Sequence, residues 1–220
     1  MRTIQKMTTA AVLAMAAGTS SIHADQVDAR AAVPVRIVAL GDSLTSGHRL
    51  PRAEAYPALL EGALTAEGIP ATVINHGVSG DTSAGGLRRL DAALADDPDV
   101  LIVALGVNDG LRGVPVNQVR RNLETIIERA QERNVAVLLC AMEALPLQGW
   151  QYTVDFHNMY AELAATYNVP LVPFLLLNVL GNPDLMTDDG VHPNAAGAKV
   201  MAATILPYLR PLATTGPVTR

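Results

Sequence analysis

The sequence predicts a three-layer α/β/α sandwich built on a central, mainly five-stranded parallel sheet. Five short aliphatic runs, with the length and β-branched content of buried strands, recur along the chain. Segments with apolar residues at helical spacing lie between them, and strands alternating with helices of this size form a parallel sheet covered on both faces. The chain has 220 residues and is 50% hydrophobic, enough for one domain with a substantial core and hardly enough for two.

Met1 to Lys6 carries two basic residues and no acid. An alanine-rich apolar stretch runs from Met7 to Ala17, and small and polar residues follow up to Ala24. This is the layout of a secretory signal peptide over residues 1–24, with Ile22-His23-Ala24 at the cleavage site. The apolar stretch is too short to span a bilayer, so the mature protein is expected to be soluble, exported to the periplasm or the medium, and not inserted in a membrane. Residues 25–34 read as a loose mature N-terminus, 35–212 as one domain and 213–220 as a tail, and a monomer is expected. Cleavage removes Arg2 and Lys6 and no acid, so the formal charge of −5 becomes more negative still. An acidic surface argues against nucleic acid or anionic membrane as partner. Cys140, the sole cysteine, excludes an intrachain disulfide and reads as a small core residue.

The first strand is Val35–Leu40, stopped by the Gly41–Gly47 turn. Ala53–Glu67 is a helix ended by Gly68-Ile69-Pro70, and Ala71–Asn75 is the second strand. A small-residue loop, Gly77 to Ser83, leads into a helix through Leu87, Leu90 and Leu94 that Asp81 or Thr82 caps. Val100–Leu105 is the third strand, closing at the turn Gly106–Gly110. An amphipathic helix over Pro115–Arg133 precedes the fourth strand, Val135–Met142. Glu143–Gln151 is an irregular loop, Tyr152–Tyr167 a helix and Pro170–Phe174 the fifth strand. Leu175–Thr187 connects, as a helix broken by Gly181 and Pro183, to the Asp188–Pro193 loop and a last helix through Leu209.

Ser43, in Gly41-Asp42-Ser43-Leu44-Thr45, stands where a parallel sheet puts its active site, at the carboxyl end of a strand. Serine is also common in turns for local reasons, so the weight comes from Asp189-Gly190-Val191-His192-Pro193 near the other end of the chain. One rim would gather Ser43, Gly80, Asn108, Asp189 and His192. Acyl transfer needs that set: a nucleophile in Ser43, a base in His192, and an orienting carboxylate in Asp189 three residues before it. The Ser43 N–H, a Gly80 N–H without a Cβ in the way and the Asn108 amide would serve the developing oxyanion. Gly-x-Ser-x-Gly is absent; Gly77-Val78-Ser79-Gly80 lacks its last glycine, and Ser79 is not read as a nucleophile. His48 falls at the rim or simply on the surface, His76 makes a structural hydrogen bond, His157 is partly exposed on a helix, and Asp96-Asp97 is a solvated helix end. No metal-ligand pattern and no phosphate-binding glycine loop occurs, so no cofactor is implied.

These blocks, with Asn75 through Gly80-Asp81-Thr82-Ser83, Gly106-Val107-Asn108-Asp109-Gly110-Leu111-Arg112-Gly113 and Asp188 through Asn194, resemble the SGNH hydrolases, also called the GDSL esterase/lipase family. The likeness covers essentially the whole mature chain, in order. It points to the branch of the periplasmic acyl-CoA thioesterase/lysophospholipases and bacterial arylesterases, whose fold is flavodoxin-like. It implies Ser43 as nucleophile, Asp189 and His192 as base pair, and Ser43, Gly80 and Asn108 as oxyanion hole. It also implies an acyl pocket shaped by the Glu143–Tyr152 loop. His48, Val107, Leu145, Trp150 and Tyr152 are the substrate-binding candidates, Val107 narrowing the site where many relatives have glycine. The activity implied is hydrolysis of short- to medium-chain carboxylic esters and thioesters, with small-molecule acyl esters as partners. The alternatives are a carbohydrate O-deacetylase and, from another class, a silent binding domain of the same fold.

Overall fold

The computed structural model describes residues 33–215; the signal peptide read in residues 1–24 lies outside them, as do residues 216–220 of the tail. Five strands form a wholly parallel sheet in the order β2-β1-β3-β4-β5, with β1 Val35–Gly41, β2 Ala71–Gly77, β3 Val100–Ala104, β4 Ala136–Cys140 and β5 Leu171–Val172. Every residue of β3 is buried, as a central strand covered on both faces requires. β2, at one edge, is only partly buried. β5, at the other edge, is two residues long rather than the expected five. Pro170 and Pro173 flank it, and neither has an N–H to give to the β4 ladder.

The covering helices are α1 Ser43–Ser46, α2 Tyr56–Ala66, α3 Ser83–Arg88, α4 Leu90–Ala95, α5 Val107–Arg112, α6 Val116–Gln131, α7 Trp150–Tyr167 and α8 Ala195–Thr214. α2 packs on α8, while α6 packs on α3 and α7. α6 buries Val119, Leu123, Ile126, Ile127 and Ala130, spaced so that one stripe faces the core, and keeps its charged residues outside. The core runs through both layers and takes in the whole apolar side of β1, β3 and β4, with Cys140 fully buried in it. Burial pushes the Cys140 thiol up to about 12, which makes it inert as a nucleophile.

Several boundaries differ from the sequence expectation. The helix expected through Leu87, Leu90 and Leu94 is broken at Arg89, whose ψ of 10° leaves the helical range, and Thr82 rather than Asp81 caps its first half. The two turns after β1 and β3 are short helices, α1 and α5. α7 begins at Trp150, two residues early. The 175–187 connection holds turns and one 3₁₀ turn, Pro183–Leu185, in place of a broken α-helix. α8 runs on to Thr214 despite Pro207 and Pro211, so the domain extends past residue 212 into the segment read as a tail.

This topology places a crevice. The chain leaves β1 for β2 on one side and returns to β3 on the other, so the loops after β1 and β3 diverge at the sheet's carboxyl edge. Ligands of open α/β sheets bind at such switch points. Ser43 follows β1 and Asn108 follows β3.

Candidate active site

Asp42 caps the helix that carries Ser43: its Oδ1 accepts the Leu44 N–H at 2.9 Å. The turn is tight. A Cβ on Gly41 would stand 1.9 Å from Thr45 Oγ1 and 2.9 Å from the Ala104 carbonyl, so only glycine lets β1 end against α1 and β3 in this way. Thr45 in turn shares a 2.9 Å hydrogen bond with the buried Tyr56 hydroxyl. The Asn75 amide donates to the Thr45 carbonyl at 2.8 Å, tying the end of β2 to the nucleophile turn.

Ser43 Oγ lies 3.0 Å from His192 Nε2, across 149 positions of sequence, and His192 Nδ1 lies 2.9 Å from Asp189 Oδ2. The second carboxylate oxygen of Asp189 accepts the backbone N–H groups of Val191 and His192, both at 2.9 Å, and the Thr187 hydroxyl at 2.8 Å. These bonds, led by the two from His192, hold the Asp189 carboxyl far below the usual carboxylate range. An isolated bridge between Met186 and Pro193 closes the base of this loop. Asn194 accepts the Ala196 and Gly197 N–H groups at the start of α8, so the loop is set on a capped helix.

Gly80 has φ +78°, a left-handed conformation that a side chain strains, whereas a Cβ built there would meet only the Arg112 guanidinium at 3.8 Å. Backbone conformation, more than the space a substrate needs, is therefore what calls for glycine. Arg112 also donates to the Gly80 carbonyl at 2.7 Å. Asn108 directs its Nδ2 to the Asp81 carbonyl at 2.8 Å and, more loosely, to Asp42 Oδ2 at 3.3 Å. Ser79, by contrast, pairs with the Ser46 hydroxyl at 3.2 Å.

Two networks beneath the rim, a buried one around Asp109 and a partly buried one around Arg89, hold these groups, and the sequence did not reveal either. Asp109 accepts the Ser83 N–H and hydroxyl at 2.8 and 2.7 Å, and Asn122 of α6 donates to the same hydroxyl at 2.9 Å. Arg89 donates to the Gly41 carbonyl and to Asp81 Oδ2, both at 2.6 Å, and to the His76 carbonyl. It joins the carboxyl ends of β1 and β2 to the Gly80 loop, and the ψ that breaks the helix belongs to this residue. Burial raises the Asp109 carboxyl and pushes that of Asp42 up to about 7, with Asp81 and Asp109 nearby adding to the effect on Asp42.

An apolar groove of about 150 Å³ opens beside His192, lined among others by Val107, Met142, Leu145, Phe174, Leu180 and Val191. Two of its lining residues are sequence neighbours of the reacting groups, Val107 of Asn108 and Val191 of His192. Val107 and Leu145 are in its wall. Trp150 and Tyr152 are not. Trp150 is 74% exposed, and Tyr152 packs on Phe156 while its hydroxyl donates to the Val114 carbonyl at 2.7 Å. The start of α7 at Trp150 carries both rings away from the groove. Their place is taken by Phe174 and Leu180, from segments that read as strand and connector and carried no signal beyond being apolar.

His48 stands at the rim, its ring against that of His192 with centroids 4.4 Å apart. His76 pairs with Asp96 at 2.6 Å, which makes Asp96 a partner rather than a solvated helix end. His157, exposed on α7, lies 2.7 Å from Glu143.

The GDSL-like lipase/acylhydrolase family profile matches residues 39–200. An arylesterase of Vibrio mimicus is 38% identical over 159 residues, 72% of this chain and 80% of that protein. Thioesterase 1/protease 1/lysophospholipase L1 of Escherichia coli is 37% identical over 184 residues, 83% of this chain and 87% of its own. The crystal structure of TesA superposes with a TM-score of 0.77 at 37% identity, covering 80% of this chain and 99% of that one. With its match spread over most of the chain and over the blocks that build the rim, this protein belongs to the GDSL-like lipase/acylhydrolase family.

Proposed function

We propose that the protein hydrolyses short- to medium-chain carboxylic esters and thioesters through an acyl-enzyme on Ser43. The observation that carries this is the unbroken relay from Ser43 Oγ to His192 at 3.0 Å and on to Asp189 at 2.9 Å, with an apolar groove beside it. Ser43 Oγ attacks the acyl carbon as its proton passes to His192 Nε2. Asp189 keeps the ring in the tautomer that leaves Nε2 open to that proton and stabilises the imidazolium. The oxyanion is received by the N–H groups of Ser43 and Gly80 and by Asn108 Nδ2. Asn108 keeps one hydrogen on the Asp81 carbonyl and turns the other from its long contact with Asp42 to the substrate. The imidazolium then protonates the departing alkoxide or thiolate. Water, deprotonated by His192, attacks the acyl-enzyme and releases the acid.

The groove is on the scale of an engineered cavity of ~150 Å³ that admits benzene, which favours a short or medium acyl chain over palmitate. Its apolar wall also favours an acyl chain over a sugar, against the O-deacetylase alternative. Arylesters, thioesters and lysophospholipids are all within its chemistry. We further infer that the enzyme works as a monomer, exported by the leader in residues 1–24; among the described residues no helix is long and apolar enough to cross a membrane.

The test is hydrolysis of p-nitrophenyl acetate, butyrate, octanoate and palmitate, with acetylated xylan alongside, by wild type and Ser43→Ala. The rate is expected to peak at butyrate or octanoate and to fall by roughly 10⁴-fold or more in the variant. Full activity in Ser43→Ala overturns the mechanism, and activity confined to xylan overturns the substrate class.

A further inference from the structure

One cluster among the described residues has His, Cys, Asp or Glu ligand atoms close enough to share a metal: His48, Asp189 and His192, whose ligating atoms all lie within 4.8 Å of one another. His48 has no part in the relay. It follows Gly47, the left-handed cap of α1, and its half-buried ring lies at 39° to that of His192. Two imidazoles and a carboxylate are the donor set of a zinc site with an open fourth position.

We propose that Zn²⁺ binds between His48 and His192, with Asp189 as third ligand, and shuts the enzyme off. At Zn–N distances of ~2.0–2.1 Å, donors around a tetrahedral ion stand about 3.3 Å apart, so the three groups must converge by roughly 1.5 Å at most. His48, on a short turn at the rim, can supply much of that by side-chain rotation. Asp189 faces the Nδ1 edge of the ring, so the ion takes His192 at Nδ1 in place of the bond to Asp189 Oδ2. The ring's proton then sits on Nε2, closing the lone pair that faces Ser43 Oγ and disabling the base. The ion is an inhibitor here, with no part in turnover. Mg²⁺ and Ca²⁺, which prefer all-oxygen ligands, leave the enzyme active. The shut-off rests on His192 being the base; the metal site does not.

Titration calorimetry of ZnCl₂ into EDTA-treated wild type, Ser43→Ala, His48→Phe and His48→Gln tests the site without reference to activity. Hydrolysis of p-nitrophenyl butyrate by wild type and the two His48 variants across the same Zn²⁺ range tests the shut-off, each scaled to its own uninhibited rate. One ion per chain is expected in wild type and Ser43→Ala. Binding and inhibition should both weaken by more than about tenfold in the two His48 variants, since loss of a ligand exceeds the ~10-fold that loss of an outer-shell partner brings. Absence of binding in wild type, or equal binding in the His48 variants, overturns the site. Binding that depends on His48 but leaves hydrolysis untouched overturns the shut-off.

Discussion

Asp109 holds Ser83 from 26 positions away, and Arg89 reaches the Gly41 carbonyl across 48, whereas among the described residues the hydrogen-bond partners of Asp189 are Thr187, Val191 and His192. The floor of the site, with Ser43, Gly80 and Asn108, is therefore an assembly of three strand ends locked by long-range polar networks. The acid–base loop is a self-contained turn set on the start of α8. Geometry in the floor depends on the whole sheet being folded. In the loop it depends on a handful of neighbours, so substitutions there should separate activity from stability where those in the floor cannot.

The sharpest separation is expected at Asp189. Asp189→Asn leaves an acceptor for the Val191 and His192 N–H groups but no longer fixes the imidazole tautomer. We expect kcat to fall by roughly 10⁴-fold, while the melting temperature at neutral pH drops only by what the carboxylate's own local bonds contribute. A large drop in melting temperature would mean the loop is not self-contained. Arg89→Met is the reciprocal case in the floor. It takes the donor from Asp81 Oδ2 and from the His76 carbonyl, while the Gly41 carbonyl keeps the Val78 N–H, and chemical denaturation should show a loss of roughly 1–3 kcal/mol with activity falling as the rim loosens. Asn108→Ala removes an oxyanion donor and should cost about 3–4 kcal/mol in the barrier, read from kcat/KM. Because the Asp81 carbonyl loses its partner as well, its melting temperature should also drop.

The two regions should also answer pH in opposite directions. Burial raises the folded Asp42 carboxyl from 3.8 to about 7, so the native state binds the extra proton between those values. The stability Asp42 contributes is complete below about 4 and is lost as pH rises through 7. The depressed Asp189 carboxyl contributes stability that is present above 3.8 and lost as pH falls below it. Melting temperature against pH should therefore lose its descent from pH 4 to 7 in Asp42→Asn, and part of its acid collapse in Asp189→Asn. The smallest effect is expected for Thr187→Ala, which removes one of several donors to Asp189 at a partly exposed site, about 1 kcal/mol or less.

The same contrast accounts for what could be read in advance. The 189–192 loop was legible because its bonds are local and the residue types state their chemistry. Strands β1, β3 and β4 were legible because a strand buried on both faces is a continuous apolar run. Arg89 was not, since an arginine on a short helix looks like any solvated charge until β1 and β2 put two carbonyls in front of it. Trp150 and Tyr152 misled for the converse reason. A loop aromatic is apolar enough to line a pocket, but the first turn of α7 decides which way it points.

By itself, then, the sequence determined the alternation of strands and helices, the parallel sheet and the residue types that meet at its carboxyl edge. Those follow from local periodicity and from the loop chemistry that each short stretch carries. Only the tertiary structure decided that Ser43 and His192 meet at 3.0 Å, which side chains wall the groove, and that His48 lies against the base. Contacts of that kind are made between segments far apart in sequence, and their distances are set by how layers pack rather than by any spacing along the chain.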